Sequence, residues 1–166
     1  MDETWRKLFC TGLPSIEKEV LFLLIHNKLP VRERIFRIGQ ATDPYCKSCL
    51  ETQGAIICDR QHFFCLCPRI AEIWTEVKLL VGNLMLDSVM ITDDDLICLN
   101  FPKCTYDAEI VWLLAAYIHW VWKGFFDERS LVMDKGKFFG YLKFKFRQDQ
   151  LGARRPLMPL WGLHDT

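Results

Sequence analysis

The stretch of residues 59–74, DRQHFFCLCPRIAEIW, decides how this chain is expected to fold. It contains one histidine and two cysteines: Cys65 follows His62 after two residues, and Cys67 follows it after four. A CxxC pair lies just upstream, and two intervening residues allow a chain to turn so that both sulfurs reach one metal ion. The spacing predicts a metal site and raises the question of which cysteine completes it.

Two ligand sets combine the upstream pair, Cys46 and Cys49, with His62. The first set adds Cys67 and has the pattern C-x2-C-x12-H-x4-C, whereas the second adds Cys65 and has the pattern C-x2-C-x12-H-x2-C. Either set supplies the three thiolates and one imidazole that a tetrahedral structural zinc site can use.

A third ligand set is a two-metal cross-brace of the kind found in RING-type ligase domains, with Cys58, His62 and Cys65 among its ligands. Such a cross-brace needs further paired ligands downstream. The cysteines that remain downstream, Cys98 and Cys104, are not spaced as a CxxC pair. The cross-brace is therefore the least favoured of the three sets.

The helix expected after Cys67 distinguishes the first two sets. Proline suits the first position of a helix, so Cys67–Pro68 predicts that Cys67 caps a helix start. A helix N-terminus stabilises negative charge, which lowers the pKa of a thiol and favours the thiolate ligand. Cys65 has no such support and is expected to be a small buried hydrophobic residue. The predicted metal ligands are therefore Cys46, Cys49, His62 and Cys67.

The composition is typical of a folded domain in a reducing compartment. Of the 166 residues, 51% are hydrophobic, 25% are charged and eight are cysteines. The charged N-terminus, MDETWRKLF, lacks the apolar stretch of a signal peptide, so we expect free or metal-bound thiols and an intracellular location, nucleus or cytoplasm. The longest apolar run, residues 110–122, is shorter than the ~20 residues that span a bilayer, so no membrane partner is expected.

The predicted fold class is mainly α: a small helical domain with an irregular zinc knuckle (CCHC) inserted between helices. With four protein ligands the coordination of Zn²⁺ is complete, so the metal is expected to be structural. Hydrophobic periodicity and capping residues predict the helices. These helices cover residues 15–27, 31–38, 68 onwards and 107–129, with a short helix within 82–106. One face of the helix at 15–27 is expected to carry Ile16, Val20, Leu23 and Leu24, and the apolar stripe of the helix after Pro68 consists of Ile70, Ile73, Trp74, Val77 and Leu80. Residues 134–150 alternate in part like a strand, but Phe138, Leu142, Lys145 and Phe146 also fit a helical stripe, so a helix is favoured there.

Three regions are expected along the chain. Residues 1–82 form a helical hairpin and the CCHC zinc-binding domain. Residues 83–150 form a helical C-terminal extension that packs on this domain. Residues 151–166, which contain two prolines in RRPLMPLWG, form an extended tail.

Three segments together resemble a known family. They are LIHNKLPVRERIFRIG (24–39), DPYCKSC (43–49) and HFFCLCPRIAEIW (62–74). Their pattern is similar to the reverse-transcriptase zinc-binding domain, which lies at the C-terminal end of many non-LTR retrotransposon polyproteins. The matching positions are Leu29–Pro30, Asp43–Pro44, Cys46, Cys49, Glu51–Thr52, His62, Cys67–Pro68 and Trp74. The resemblance covers residues 16–80 closely, and WLLAAYIHWVWKGFFDERS (112–130) looks like the helix that follows in these polyproteins.

The resemblance implies zinc binding and a part in engaging template RNA or target DNA during target-primed reverse transcription. It also implies that the polymerase of the parent polyprotein lies elsewhere, so this chain would be a fragment or a domesticated copy and not itself an enzyme. The loop between Glu51–Thr52 and His62 is longer than the family pattern and carries Cys58.

The first function hypothesis is a zinc-stabilised, non-catalytic module that handles RNA or DNA. The candidate nucleic-acid contacts are Lys47, Arg60, Arg69, Lys143, Lys145 and Arg147. The net charge is zero, and the largest excess of Lys and Arg, seven against two Asp, lies at one end of the chain in residues 134–155, so binding is expected to be weak on its own. Phe63 and Phe64 can stack on bases, although packing beside the zinc is the favoured interpretation.

The second hypothesis is a domesticated protein-interaction module without nucleic-acid binding. The six Trp and twelve Phe favour it, because they can supply an aromatic surface for a protein partner. An enzyme is the weakest hypothesis. Asp93–Asp95 superficially resemble the paired aspartates of a polymerase, but Thr92 before them predicts a capped helix with an acidic first turn.

Overall fold

A computed structural model describes residues 2–10, 12–85, 90–126 and 133–152. Within these residues the chain is mainly helical and has no strand beyond one isolated β-bridge, between Tyr45 and Ile57. The helices are α1 (Glu3–Cys10), α2 (Ser15–Ile25), α3 (Arg32–Arg37), α4 (Lys47–Leu50), α5 (Ala71–Leu84), α6 (Asp93–Ile97), α7 (Asp107–Phe126) and α8 (Lys135–Gly152). A π-helical turn, His62–Leu66, precedes α5. The predicted fold class, helices around an irregular Cys/His segment, is confirmed.

Helix α7 forms the centre of the core. Residues 110–118 are all buried, because α1, α2, α5, α6 and α8 all contact this helix. A helix that is apolar on every side is stable only when it is enclosed, as the uninterrupted apolar run predicts. Its 20 residues give it a length of about 30 Å, so it joins distant parts of the molecule. No helix in the described residues has the length and apolar character needed to cross a membrane.

Helix α5 presents its predicted apolar stripe to α7. Ile73, Trp74 and Val77 are buried, and the Trp74 ring centroid lies 5.3 Å from that of Tyr117 on α7. The helix begins later than the predicted start at Pro68, because residues 68–70 form a turn. The apolar spacing was thus a better guide to the buried face than the proline was to the helix start.

Helix α8 settles the ambiguity between strand and helix at residues 134–150. Phe138, Leu142 and Phe146 are buried at helical spacing, as the helical alternative predicts. Lys145 shares this buried stripe, and its ammonium group lies 2.8 Å from Glu17 Oε1 on α2. The helix continues through Gly152, and the rest of the predicted tail, residues 153–166, lies outside the described residues.

Helices α1 and α2 differ from the expectations for the N-terminal region. No helix is predicted before residue 15, yet α1 forms there and buries Leu8 completely against α2 and α7. In α2, Val20 and Leu24 are buried as predicted, but Ile16 is exposed and Glu17 is buried in its place. Short helices depend on tertiary packing for their stability, so the hydrophobic pattern of the N-terminal residues did not predict α1.

Candidate metal centre

The CxxC pair lies on a small hairpin. The Cys46 N–H donates to the Ile56 carbonyl at 2.8 Å, and the Cys58 N–H donates to the Pro44 carbonyl at 2.9 Å. Cys46 has an extended backbone, and α4 begins directly after it. The chain then turns, so that the Cys49 N–H donates to the Cys46 carbonyl at 3.2 Å. The two thiols of the pair consequently belong to one cluster, as their spacing predicts.

The π-helical turn explains why His62 can share a site with Cys67. The Cys67 N–H donates to the His62 carbonyl at 2.8 Å, a bond between residues five apart. An α-helix brings residues three or four apart onto one face, whereas this wider turn does so for residues five apart. Asp59 Oδ1 accepts the His62 N–H at 2.7 Å and holds the start of the turn. The His-x4-Cys spacing therefore has a local structural cause.

Four side chains form a cluster that can hold a metal ion. The ligand atoms of Cys46, Cys49, His62 and Cys67 all lie within 4.8 Å of one another. Cys49 Sγ is 3.4 Å from His62 Nε2 and 4.0 Å from Cys67 Sγ. Cys46 Sγ is also 4.0 Å from Cys67 Sγ. Zinc–sulfur bonds of about 2.3 Å in a tetrahedron separate two ligand sulfurs by about 3.8 Å, so the donor set fits a four-coordinate ion.

The cluster is enclosed by protein, and the pKa values of its thiols are shifted in different directions. Each of its four residues is at most 7% exposed. The pKa of Cys46 is lowered, first because Cys58 donates a hydrogen bond to its sulfur and next because Cys67 does. Burial raises the pKa of Cys49, and hydrogen bonding to Cys46 raises that of Cys67. A bound cation would have to displace the protons from these thiols, as metal binding to cysteine generally does.

The structure corrects the reason for choosing Cys67. Helix α5 has Ile70 as its N-cap, and the pKa of Cys67 is raised, not lowered as a capping position predicts. The Cys67 carbonyl instead accepts hydrogen bonds from the N–H groups of Ile70 and Ala71, each at 2.9 Å. The backbone N–H of Arg69 is directed at the Cys67 sulfur and partly opposes the rise in its pKa. A tight turn before the helix thus positions this sulfur.

Cys65 and Cys58 lie outside the group of four. Cys65 is 2% exposed, and its pKa is raised, first by burial and next by the negative charge of Asp93 on α6. Cys58 contacts Cys46, and hydrogen bonding to that residue raises its pKa. All seven cysteines whose side chains are described are free thiols. Burial therefore accounts for Cys65, and Cys58 is a neighbour of the cluster.

Lys47 and Arg69 are the two predicted cations that lie beside the cluster. Lys47 is exposed at the start of α4, and Arg69 is half-buried in the turn before α5. Neither side chain forms an ion pair with a described residue, and the buried Arg69 Nε has no hydrogen-bond partner. Both cations are therefore placed to meet an anionic ligand.

Arg60 and Lys145 are instead engaged within the protein. Arg60 donates to both carboxylate oxygens of Asp94, at 2.8 and 2.7 Å, and to the Leu24 carbonyl at 3.2 Å. Lys145 is 7% exposed and pairs with the buried Glu17. Side chains held in this way serve packing between helices, which argues against their predicted role as nucleic-acid contacts.

The last two predicted contacts, Lys143 and Arg147, lie on α8. Lys143 is half-buried and Arg147 is exposed. Helix α8 contacts α5 and α7, and neither residue lines a depression beside the metal cluster. The six predicted cations thus do not form one surface.

The aromatic pair after His62 belongs largely to the core. Phe64 is completely buried and Phe63 is 4% exposed, as the packing interpretation predicts. The Tyr117 hydroxyl donates to the Phe64 carbonyl at 2.5 Å and ties the π-helical turn to α7. Phe125, near the end of α7, lies 5.2 Å from Phe63 between ring centroids and is 47% exposed. The apolar run at residues 110–122 lies within α7 and gave no sign that the end of this helix reaches the cluster.

The three aspartates of α6 each have a structural partner. Thr92 caps the helix by accepting the Asp95 N–H at 3.1 Å, as predicted. Asp93 lies 3.2 Å from Lys78 Nζ, and Asp94 holds Arg60. The cap and these ion pairs give the three aspartates a structural role in α6.

No protein-family model, no curated protein and no solved structure matches this chain. The chemistry open to the site therefore follows from its own donor set and surroundings. Three thiols and one imidazole can hold a metal ion, and next to them lie two cations, Lys47 and Arg69, that form no ion pair within the described part of the chain.

Proposed function

We propose that this chain is a zinc-stabilised, non-catalytic module that handles RNA or DNA. The observation that carries the proposal is the enclosed Cys3His cluster with unpaired Lys47 and Arg69 beside it. The metal would hold the backbone that carries both cations, since Lys47 follows Cys46 directly and Arg69 lies two residues after Cys67. Metal binding would in this way order a small cationic surface.

Zinc is the metal that the donor set favours. Thiolates are soft ligands, and a tetrahedral group of sulfur and imidazole nitrogen suits Zn²⁺ better than it suits Mg²⁺ or Ca²⁺. Four protein ligands leave no coordination position for water or substrate. The proposed role of the metal is accordingly structural.

The resemblance of residues 16–80 to reverse-transcriptase zinc-binding domains supports the choice of nucleic acid as partner. On this proposal the chain, as a fragment or a domesticated copy, helps to position template RNA or target DNA. It would act in the nucleus or cytoplasm, where a reducing environment keeps cysteine ligands available to metal.

A protein-interaction module is the second candidate, favoured by a ring cluster at the N-terminal helices. The Trp5 ring lies 5.9 Å from Phe9, 5.8 Å from Phe22 and 5.1 Å from His26, between centroids. Phe9 is 53% exposed and Phe22 is 43% exposed. Exposed aromatic residues are typical of protein interfaces, so this surface would bind a partner through apolar contact.

Metal analysis of the purified chain tests the first part of the proposal. We expect one zinc ion per chain, retained by Cys65→Ser and lost or strongly weakened in Cys67→Ser. The two variants form a matched pair, because they make the same chemical change two residues apart. Zinc loss in Cys65→Ser with retention in Cys67→Ser would overturn the ligand assignment.

Nucleic-acid binding tests the second part. Fluorescence anisotropy with labelled RNA and DNA should show binding at low salt that weakens as salt rises, because phosphate contacts release counterions. Lys47→Gln and Arg69→Gln should weaken it, whereas Lys103→Gln, which removes an exposed charge before α7, should not. If the zinc-loaded chain binds neither polymer at low salt, the nucleic-acid role is wrong. Partners that persist after nuclease treatment would then favour the interaction module.

A further inference from the structure

A pocket of about 260 Å³ opens beside the metal cluster. Part of its wall is apolar and is contributed by three separate elements: Pro30 before α3, Tyr45 on the hairpin and Phe125 near the end of α7. Phe63 of the π-helical turn also lines it. The pocket therefore lies where the Cys/His segment, the turn between α2 and α3, and the end of α7 meet.

The aromatic side of the pocket is built and partly exposed. Phe63 is buried and meets Phe125 with a centroid distance of 5.2 Å and an interplanar angle of 70°. Trp122 lies behind Phe125 at 6.1 Å, with the two rings nearly parallel. This packing holds the Phe125 ring at the pocket, where 47% of the residue remains exposed. A flat apolar ligand would find a ring face already in place.

The cationic side of the pocket is formed by Lys47 and Arg69. A third cation, Arg32, also lines it, but Asp43 neutralises this residue at 3.0 Å. Lys47 and Arg69 have no such partner among the described residues, and Arg69 Nε is buried without a hydrogen bond. The pocket thus combines an aromatic wall with two uncompensated positive charges.

The pocket also continues past Arg69. A second depression, of about 440 Å³, shares Ser48, Cys67 and Arg69 with the first. It adds the exposed Thr52, whose hydroxyl can hydrogen-bond a ligand. The two depressions form a track across the knuckle, which suits an extended chain that carries repeated negative charges.

We infer that the pocket takes an unpaired base of a single-stranded nucleic acid, while Lys47 and Arg69 hold the neighbouring phosphates. This inference rests on the proposed function and narrows its substrate class from nucleic acid in general to single strands. A base offers a flat face that stacks on aromatic side chains whatever its identity. In a duplex the bases are stacked and paired, so a base can enter a pocket of this kind only after unstacking that costs free energy.

The test compares two single strands of equal charge, and a duplex with twice as many phosphates, on the zinc-loaded full chain. We use a labelled ten-nucleotide oligothymidine, an abasic oligomer with the same phosphates, and a ten-base-pair duplex. Base insertion predicts that the abasic oligomer binds about tenfold more weakly than oligothymidine, as loss of one stacked base generally costs. The duplex should also bind more weakly. Equal binding of the abasic oligomer would overturn the inference.

Substitutions of the pocket residue Phe125 provide a second test of the inference. Phe125→Ala should weaken oligothymidine binding about tenfold and leave abasic binding unchanged, because it removes ring area and no charge. Phe125→Leu keeps apolar volume, so it provides a folded comparison if the alanine variant loses zinc. Lys103→Gln serves as the charge control, since Lys103 precedes α7 at the end opposite Phe125, about 30 Å away along the helix.

The outcomes separate this inference from the function on which it depends. Binding of all three ligands with equal affinity, abolished by Lys47→Gln with Arg69→Gln, would leave the nucleic-acid function standing and remove the base pocket. Binding of none of them would remove both. Displacement of oligothymidine by a phosphotyrosine peptide at lower concentration than by unlabelled oligothymidine would assign the pocket to protein ligands and overturn the inference.

Discussion

The knuckle, residues 44–70, and the helical core around α7 are held together by different means. In the core, Leu113, Leu114 and Ile118 of α7 are completely buried among other helices. In the knuckle, the enclosed groups are three thiols and an imidazole, supported by a short hairpin and one π-helical turn. Apolar burial stabilises the first region directly, whereas the donor atoms of the second are placed so that a metal ion could bridge them.

The two regions nevertheless share a boundary. The Tyr117 hydroxyl of α7 donates to the Phe64 carbonyl, and Phe63 lies against Trp122 with centroids 5.6 Å apart. Arg60 ties the start of the π-helical turn to α2 and α6. Metal, core and boundary should therefore be separable by substitutions that disturb one of them at a time, with effects of different size.

Removal of the metal should produce the largest effect. We expect a chelator to abolish hydrogen-exchange protection across residues 44–67, while residues 110–118 of α7 stay protected. Apparent zinc-binding free energies of ~10–16 kcal/mol in zinc-finger peptides indicate the order of magnitude of the stabilising free energy that the knuckle would lose. Hydrogen exchange followed by mass spectrometry measures both regions in one sample. Equal loss of protection in α7 would show that the two regions unfold as one unit.

Glu17→Gln should produce the next largest effect, within the core. It removes the negative charge that lies 2.8 Å from the buried Lys145 ammonium group, with the Asp149 carboxylate remaining at 3.4 Å. We expect the free energy of unfolding to fall by about 3–5 kcal/mol in urea denaturation. The paired change Glu17→Met with Lys145→Met is the control, because it removes both charges and should be neutral or stabilising. A Glu17→Gln variant as stable as the parent would contradict this account.

Arg60→Gln tests the boundary between the regions. It removes a bidentate pair with Asp94 and the hydrogen bond to Leu24, so we expect a loss of about 1–3 kcal/mol in thermal or urea unfolding. Zinc content and nucleic-acid affinity should be unchanged. Lys103→Gln, which changes an exposed charge, should alter stability by less than about 0.5 kcal/mol. A specific loss of nucleic-acid affinity in Arg60→Gln would restore the predicted contact role.

Thr92→Ala should have the smallest effect. The change removes the cap of α6, where Thr92 Oγ1 accepts the Asp95 N–H and donates to Asp95 Oδ2 at 2.7 Å. We expect the free energy of unfolding to fall by about 1 kcal/mol, with Thr92→Ser close to the parent. Differential scanning calorimetry can resolve the two variants. No difference between Ala and Ser would mean that the cap contributes nothing measurable.

Part of the site could be predicted because its cause is local. The CxxC spacing fits a turn, and the His-x4-Cys spacing fits a π-helical turn, so the cluster forms among residues that are close in the chain. The buried face of α8 was equally accessible, since Phe138, Leu142 and Phe146 follow helical periodicity. These features depend on local geometry, so the spacing of residues along the sequence predicts them.

The environment of the cations could not be predicted in this way. Nothing in the neighbouring sequence distinguishes the environments of Arg60, Arg69 and Lys145. Asp94 nevertheless pairs with Arg60, and Glu17 pairs with Lys145. Arg69 forms no ion pair with a described residue. The partners lie on other helices, at separations that periodicity does not reveal. Charge alone therefore identified candidate cations but not which of them lack an ion pair within the described residues.

The helical class, the buried faces of α5 and α8, and the clustering of Cys46, Cys49 and His62 follow from the sequence, because each depends on spacing along one short segment. The turn before α5 that positions the Cys67 sulfur, the cations that lack an ion pair among the described residues, and the place of Phe125 beside the knuckle are seen only in the tertiary structure. The physical reason is that ion pairs and pockets form between segments distant in the chain. Which segments meet is set by packing of the whole core.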